Sequence, residues 1–455
     1  MRGGRRQPRL ADRGTPVLGW RSPGETAYAA RVIRPYVRRR LPWQWTWRRA
    51  AMLAAGVVVL ACVGVGGVVV VSLAQAPDCV TAAPPVAPAA ATRLPAASLS
   101  GHPVASAPVS GDLVFVSLRP WVSGDRSGIE VLRGQGSALH STAVIPLASP
   151  PSGLALSPDG RVLLAAEDDG VAVLDVARAA AGDPSSVMGT ISTGPGAGTS
   201  GLAIAGGRYV FTVDEMAGRV TVLDLPRLES GDYGPSSLVG TIQVDMGPAG
   251  VAVSPNGRYV YVVSQVQRPV VSVGPSDFLY GLLTYVGLPR RGGTLSVIDV
   301  KRMELDPTSS VVAHVAAGCG PVQVAASPDG SLVWVVAKRS NELLAFRSAQ
   351  LATGGARPVA RAPVGAAPDG LRLVRNGAVA LVASSDHSQE PSTPQTVHVV
   401  DTAAALAGRP ALRSAVAVGG MPQEIDLSPD QRTAYVANSG TSSLSTMDLS
   451  SVLGT

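Results

Sequence analysis

The chain has 455 residues and a formal charge of +6, but that charge is very unevenly spread. Residues 1–49 hold 13 arginines against only Asp12 and Glu25, a local +11, so the rest carries 25 basic and 30 acidic residues, or −5. A large part of mildly acidic balance lacks the basic face that nucleic-acid binding requires, and no nucleic-acid partner is expected. The three cysteines, Cys62, Cys79 and Cys319, form no CxxC and lie near no histidine cluster, which argues against a zinc or thioredoxin-type site.

The Arg-rich stretch 1–49 reads as a cytoplasmic tail. Residues 50–75 follow with no charge at all, long enough as a helix for a hydrocarbon core of about 30 Å. Trp43, Trp45 and Trp47 precede this segment, with Arg38, Arg39, Arg40, Arg48 and Arg49 on the same side. The positive-inside rule therefore predicts a single-pass anchor with a cytoplasmic N-terminus and everything beyond it extracytoplasmic, at the cell membrane. A cleaved signal ending at Ala74-Gln75-Ala76 and a lipobox ending at Cys62 are the competing readings. Pro77 and the length of the apolar run disfavour them. Residues 76–91, rich in Ala and Pro, read as a semi-extended tether.

From there the chain repeats itself about every 49 residues. The units start at Val104, Gly153, Gly201, Gly250, Gln323, Gly370 and Gln423. Each reads as an apolar strand, a Ser-Pro-Asp-Gly turn, a Val/Tyr-rich strand, a loop, a third strand ending in Asp, and a fourth strand closing on Gly or Pro. In Ser157-Pro158-Asp159-Gly160 the proline presets φ and the glycine supplies the positive φ that re-enters the next strand. Gly207 and Gly377 keep that role where Pro is lost, whereas the seventh unit has Gln431 instead. Four short strands cannot bury a core alone, and seven such units predict an all-β, seven-bladed β-propeller of four-stranded blades over residues 92–455. The last unit lacks its fourth strand, and residues 92–97 are predicted to supply it, closing the ring.

These repeats resemble the YVTN β-propeller repeats of bacterial and archaeal surface proteins and, more distantly, lactonase-type propellers. The resemblance implies the fold. It carries no catalytic residue over to this chain, because that fold hosts binding proteins, hydrolases and cofactor enzymes alike.

Asp175, Asp224, Asp299, Asp401 and Asp448 recur once per unit and so are spread around the ring, which suits turn capping rather than catalysis. Functional residues are expected in the loops between second and third strands. These contribute Trp121, Asp125 and Arg126; Glu167, Asp168 and Asp169; Asp214 and Glu215; Lys338 and Arg339; and Asp386 and His387. They predict a charged face, acidic at units 2 and 3 and basic at unit 5. An insertion at 266–293 is the most individual feature. Its Phe278, Leu279, Tyr280, Leu282, Leu283 and Tyr285, followed by Arg290 and Arg291, suit packing on the ring, a partner protein or the membrane surface. No metal or cofactor is expected. The reading that follows is a non-catalytic, membrane-anchored binding or scaffold module for a protein or cell-envelope ligand. A lactonase-like hydrolase and a receptor-like signalling protein are the alternatives.

Overall fold

The computed structural model describes residues 58–60, 69–71, 84, 94–110, 112–121, 125–267 and 292–453. Seven four-stranded antiparallel sheets follow one another along the chain, the blades of a propeller. Their inner strands are His102–Ser110, Leu154–Leu156, Thr199–Ala205, Met246–Val253, Pro321–Ala326, Pro368–Val374 and Pro422–Leu427. Aliphatic and aromatic side chains fill the gaps between neighbouring sheets. Tyr261, Val263 and Leu295 of blade 4, for example, pack against Val335, Leu344 and Phe346 of blade 5. No blade has a core of its own, as the repeat pattern implies.

The repeated turns behave as their residues dictate. Gly160, Gly257 and Gly330 have φ of 71°, 68° and 70°. Ser157 Oγ donates to Asp159 at 2.6 Å and accepts from the Val162 amide at 3.0 Å, which pins the hairpin. Gln431 takes the same left-handed conformation at φ 55°, a conformation costly for a residue with a Cβ. The recurrent aspartates are caps: Asp175, Asp224, Asp299 and Asp401 each accept the amide of the third residue of a short helix that follows the third strand. Asp448 accepts from the Ser450 amide at 2.9 Å.

The ring closes through the N-terminal segment. Ala96–Ser98 pairs with the third strand of blade 7, in the register Ala96↔Ser445, Ala97↔Leu444 and Ser98↔Ser443. The closing strand is thus displaced slightly from 92–97, with Leu94 bonding to the Ala417 carbonyl and Pro95 accepting from the Thr446 amide; Thr92 and Arg93 lie outside the described residues.

Upstream, the membrane helix expected over 50–75 is not seen among the described residues, which include only six of its positions. The six described positions within 50–75 form two short antiparallel strands, Val58–Leu60 against Val69–Val71. Runs of β-branched valine favour extended backbone. Among the described residues no helix is long and apolar enough to cross a membrane. The rest of 50–75, the tail 1–49 and the tether 76–91 apart from Pro84 lie outside the described residues, as does the insertion from 268 to 291. Cys319 is disulfide-bonded.

At three blade seams the inner strands approach so closely that only glycine fits. A Cβ on Gly153 would stand 2.6 Å from the Ser200 carbonyl oxygen, on Gly250 2.7 Å from that of Val322, and on Gly370 2.5 Å from that of Gln423. Gly250→Ala is therefore expected to cost roughly 1–3 kcal/mol through forced displacement of blade 5, measured by denaturant unfolding. A chain starting at Leu99 and one starting at Thr92 both lack Cys62 and Cys79 and so lose the disulfide of Cys319. Only the first loses the pairing and the burial of Ala97, and it should be about 2–4 kcal/mol the less stable of the two in the same measurement. Equal stability of the two would refute closure by this strand.

Candidate functional site

The loops between second and third strands and those between blades open on one face around the axis. The candidate residues on this face prove to have different tasks. Asp214 is fully buried at the end of its strand. Its carboxylate accepts from Thr199 Oγ1 at 3.0 Å, Thr212 Oγ1 at 3.2 Å, Thr221 Oγ1 at 2.6 Å and Arg219 Nε at 3.1 Å, a satisfied network that holds blade 3 together. Glu167 is buried too and accepts from the Ser149 amide; burial raises its carboxyl above the ordinary value. Asp168 pairs with Arg119 at 3.0 Å, and Asp169 accepts the Ala197 amide at 3.1 Å. Of the expected acidic sector of blades 2 and 3, Asp214 and Glu167 are thus interior, whereas Asp168 and Asp169 remain exposed at the surface.

Trp121 stacks flat on His102, with ring centroids 4.2 Å apart, while its amide donates to Asp125 at 2.8 Å. His102 also reaches the Ser439 carbonyl and Asp125, which puts Trp121 and Asp125 at the seam between blades 7 and 1, with the exposed Arg126 next in the same loop. Asp386 turns back onto its own loop. Burial works upward on its carboxyl, but hydrogen bonds from Ser388 and Gln389 outweigh it and hold the group below the ordinary range. Burial, helped by the charge of Lys338, lowers the neighbouring His387. The insertion residues Phe278, Leu279, Tyr280, Leu282, Leu283, Tyr285, Arg290 and Arg291 lie outside the described residues.

Three of the candidates, Glu215, Lys338 and Arg339, do converge. They line a cavity of about 1050 Å³ on the propeller axis, at the upper end of volumes that hold drug-sized ligands. Around its mouth runs a chain of contacts from blade to blade. Gln265 donates to Glu215 at 2.9 Å, Arg339 donates to the Gln265 carbonyl at 2.8 Å, and Lys338 pairs with Asp369 at 2.6 Å. Burial pushes the Glu215 carboxyl up, opposed by its bond from Gln265. The wall below is amphipathic. Leu154, Leu202, Val251 and Val322 of blades 2 to 5 bring aliphatic surface to it, Gln323 and Gln423 bring amides, and Arg372 and Glu424 of blades 6 and 7 bring charge.

Arg372 and its partners escape a search confined to loops, because they sit on inner strands. Yet a signal exists in the repeat. The position opposite Phe115, Leu164, Phe211, Tyr261 and Trp334 is alanine in blades 1 to 5: Ala107, Ala155, Ala203, Ala252 and Ala325. In blades 6 and 7 the same register holds Arg372 and Asp426, which form an ion pair between adjacent blades. Among the described residues no group of three or more His, Cys, Asp or Glu side chains could hold a metal ion.

The fold and this axial cavity define a seven-bladed propeller with an amphipathic central channel. The family described as "Lactonase, 7-bladed beta-propeller" matches residues 153–347, from blade 2 to the third strand of blade 5. Among solved structures, a chain titled hydrazine synthase from Kuenenia stuttgartiensis aligns with 77% of this chain and 96% of its own, at a TM-score of 0.56 and 18% identity, a likeness of fold alone. No curated protein matches the chain.

His398 belongs to the core rather than to the site. Only 3% exposed, it contacts Ser384 Oγ through Nδ1 at 3.0 Å, and burial lowers its pKa to about 4. The unfolded chain then binds the extra proton between about pH 6.5 and 4, so stability falls as pH drops through that window. About 3 kcal/mol should be lost across it on this account. His398→Gln should flatten that part of a pH–stability profile measured by urea unfolding.

Proposed function

We propose that this protein is an envelope-held binding module whose ligand seat is the central channel, and that its ligand is a small amphiphile with an oxygen-bearing head. The observation that carries this reading is the amphipathic wall: a ligand-sized cavity lined by aliphatic side chains, amides and the charged Arg372 and Glu424, with Lys338 and Arg339 at the mouth. Apolar surface supplies binding free energy, and a few placed polar groups supply orientation. Anchoring outside the cytoplasm is supported by the arginines of 1–49 followed by the uncharged 50–75, and by the oxidised state of Cys319. The insertion, which leaves and re-enters the ring at Gln267 and Gly292 beside the channel mouth, is the part best suited to meet a partner or the membrane.

A second reading, lactone hydrolysis in the same cavity, is favoured by the family match over blades 2 to 5. A lactone is itself a small molecule with an oxygen-bearing head, so both readings use one seat. Titration of the protein with γ-decalactone should show saturable binding, and Leu202→Trp, which fills the aliphatic wall, should abolish it without lowering the melting temperature. Undiminished binding by Leu202→Trp would remove the channel as the seat. Ring opening followed with a pH indicator separates the two readings: turnover that Leu202→Trp abolishes makes the protein a hydrolase, and binding without turnover makes it a receptor for the intact ligand.

A further inference from the structure

The inner strands of blades 6 and 7 bring charges toward the channel, with Arg372 and Asp426 at the register where blades 1 to 5 carry alanine. Arg372 projects from the inner strand of blade 6 and reaches Asp426 of blade 7, whose other oxygen accepts from Ser106 Oγ of blade 1 at 3.1 Å. Asp426 is thus held from both sides. Glu424, two residues earlier on the same strand, is placed differently. Its one polar contact among the described residues is with Arg372 Nη2, at 3.5 Å, the outer limit of a hydrogen bond. Both groups face the cavity: 26% of the Glu424 side chain and 32% of Arg372 remain exposed, and both line the axial space. Among the described residues Nε and Nη1 of Arg372 donate to no protein atom.

A guanidinium with two uncommitted nitrogens beside a weakly engaged carboxyl is the arrangement that accepts a ligand's oxygens. We infer that Arg372 and Glu424 form a carboxylate-binding subsite, in which a ligand carboxylate takes hydrogen bonds from the Arg372 guanidinium and lies against Glu424. The inference rests on the channel being the ligand seat and specifies which amphiphiles it takes: monocarboxylic acids with an apolar body that lies along Leu154, Leu202, Val251 and Val322.

The charge balance supports it. With Glu424 ionised, one arginine would face two carboxylates and the subsite would repel an anion. With Glu424 protonated, Arg372 and Asp426 cancel and a donor is gained. Desolvation in the channel, reinforced by the charge of Asp426 and opposed by Arg372, pushes Glu424 up to about 8. Blade 6 presents Asp369 nearer the mouth and blade 1 presents His102, but only Arg372 and Asp426 act on Glu424. Carboxylate binding therefore includes a proton held on the protein, and affinity should fall as pH rises through about 8.

Calorimetric titration of the full chain with octanoate, its neutral isostere octanamide, and octylamine tests this. Wild type should bind octanoate more tightly than octanamide at pH 7 and lose about tenfold in octanoate affinity by pH 9, while octanamide affinity stays level. Glu424→Gln, which keeps a donor and cannot ionise, should retain octanoate binding at pH 9, with a wild-type melting temperature showing that the ring is intact. A preference for octylamine, or an equal loss of octanoate affinity in Glu424→Gln, would overturn the subsite. Octanamide binding without octanoate binding would overturn it while leaving the channel as the seat. Failure of all three probes would remove the channel as the seat, and the subsite with it.

Discussion

Seven inner strands meet around one axis, and at three of their seams the backbone of one strand stands too close to the next to admit a side chain. Gly153, Gly250 and Gly370 stand there with a neighbour's carbonyl oxygen within 2.7 Å of where a Cβ would sit. This crowding sets how far each blade can move inward. Further out the sheets diverge, and larger residues such as Phe211, Tyr261 and Trp334 fill the widening gaps.

A ring held by neighbour contacts alone is only as strong as its last seam. Here that seam is made by chain segments more than 300 residues apart, with Ala97 packed into the apolar cluster that joins blades 7 and 1. Burying the edge of blade 7 removes the open strand that would otherwise invite pairing with another chain. Polar contacts follow the same circuit. Arg119 to Asp168, Gln265 to Glu215, Lys338 to Asp369 and Arg372 to Asp426 each tie one blade to another. Many charges that a sequence presents as loop decoration are in this way drawn into the ring, and those left facing the channel are few.

The repeat made the blades, their turns and the closing strand legible, because each depends on local chemistry: proline and glycine in a turn, aspartate at a helix start, alternation in a strand. The candidate site was only partly legible. Glu215, Lys338 and Arg339 were visible as charged loop residues, but so were Asp214 and Glu167, and nothing in a loop's composition tells a buried, fully bonded carboxylate from one that faces a cavity. Arg372 and Asp426 broke a column of alanines, a signal that emerges once the inner strands are aligned by their pairing register. The valine runs at 58–60 and 69–71 fit either a helix in lipid or strands in water, since periodicity does not specify the surrounding medium.

The sequence by itself determined the number of blades, the turn geometry, the capping aspartates and the way the chain ends meet, because these follow from short-range sterics and a repeating pattern. Only the tertiary structure decided which charges are spent on holding blades together and which line the axis. That choice depends on the radial position of each strand in the ring, which brings residues of blades 3, 5, 6 and 7 to one axial space.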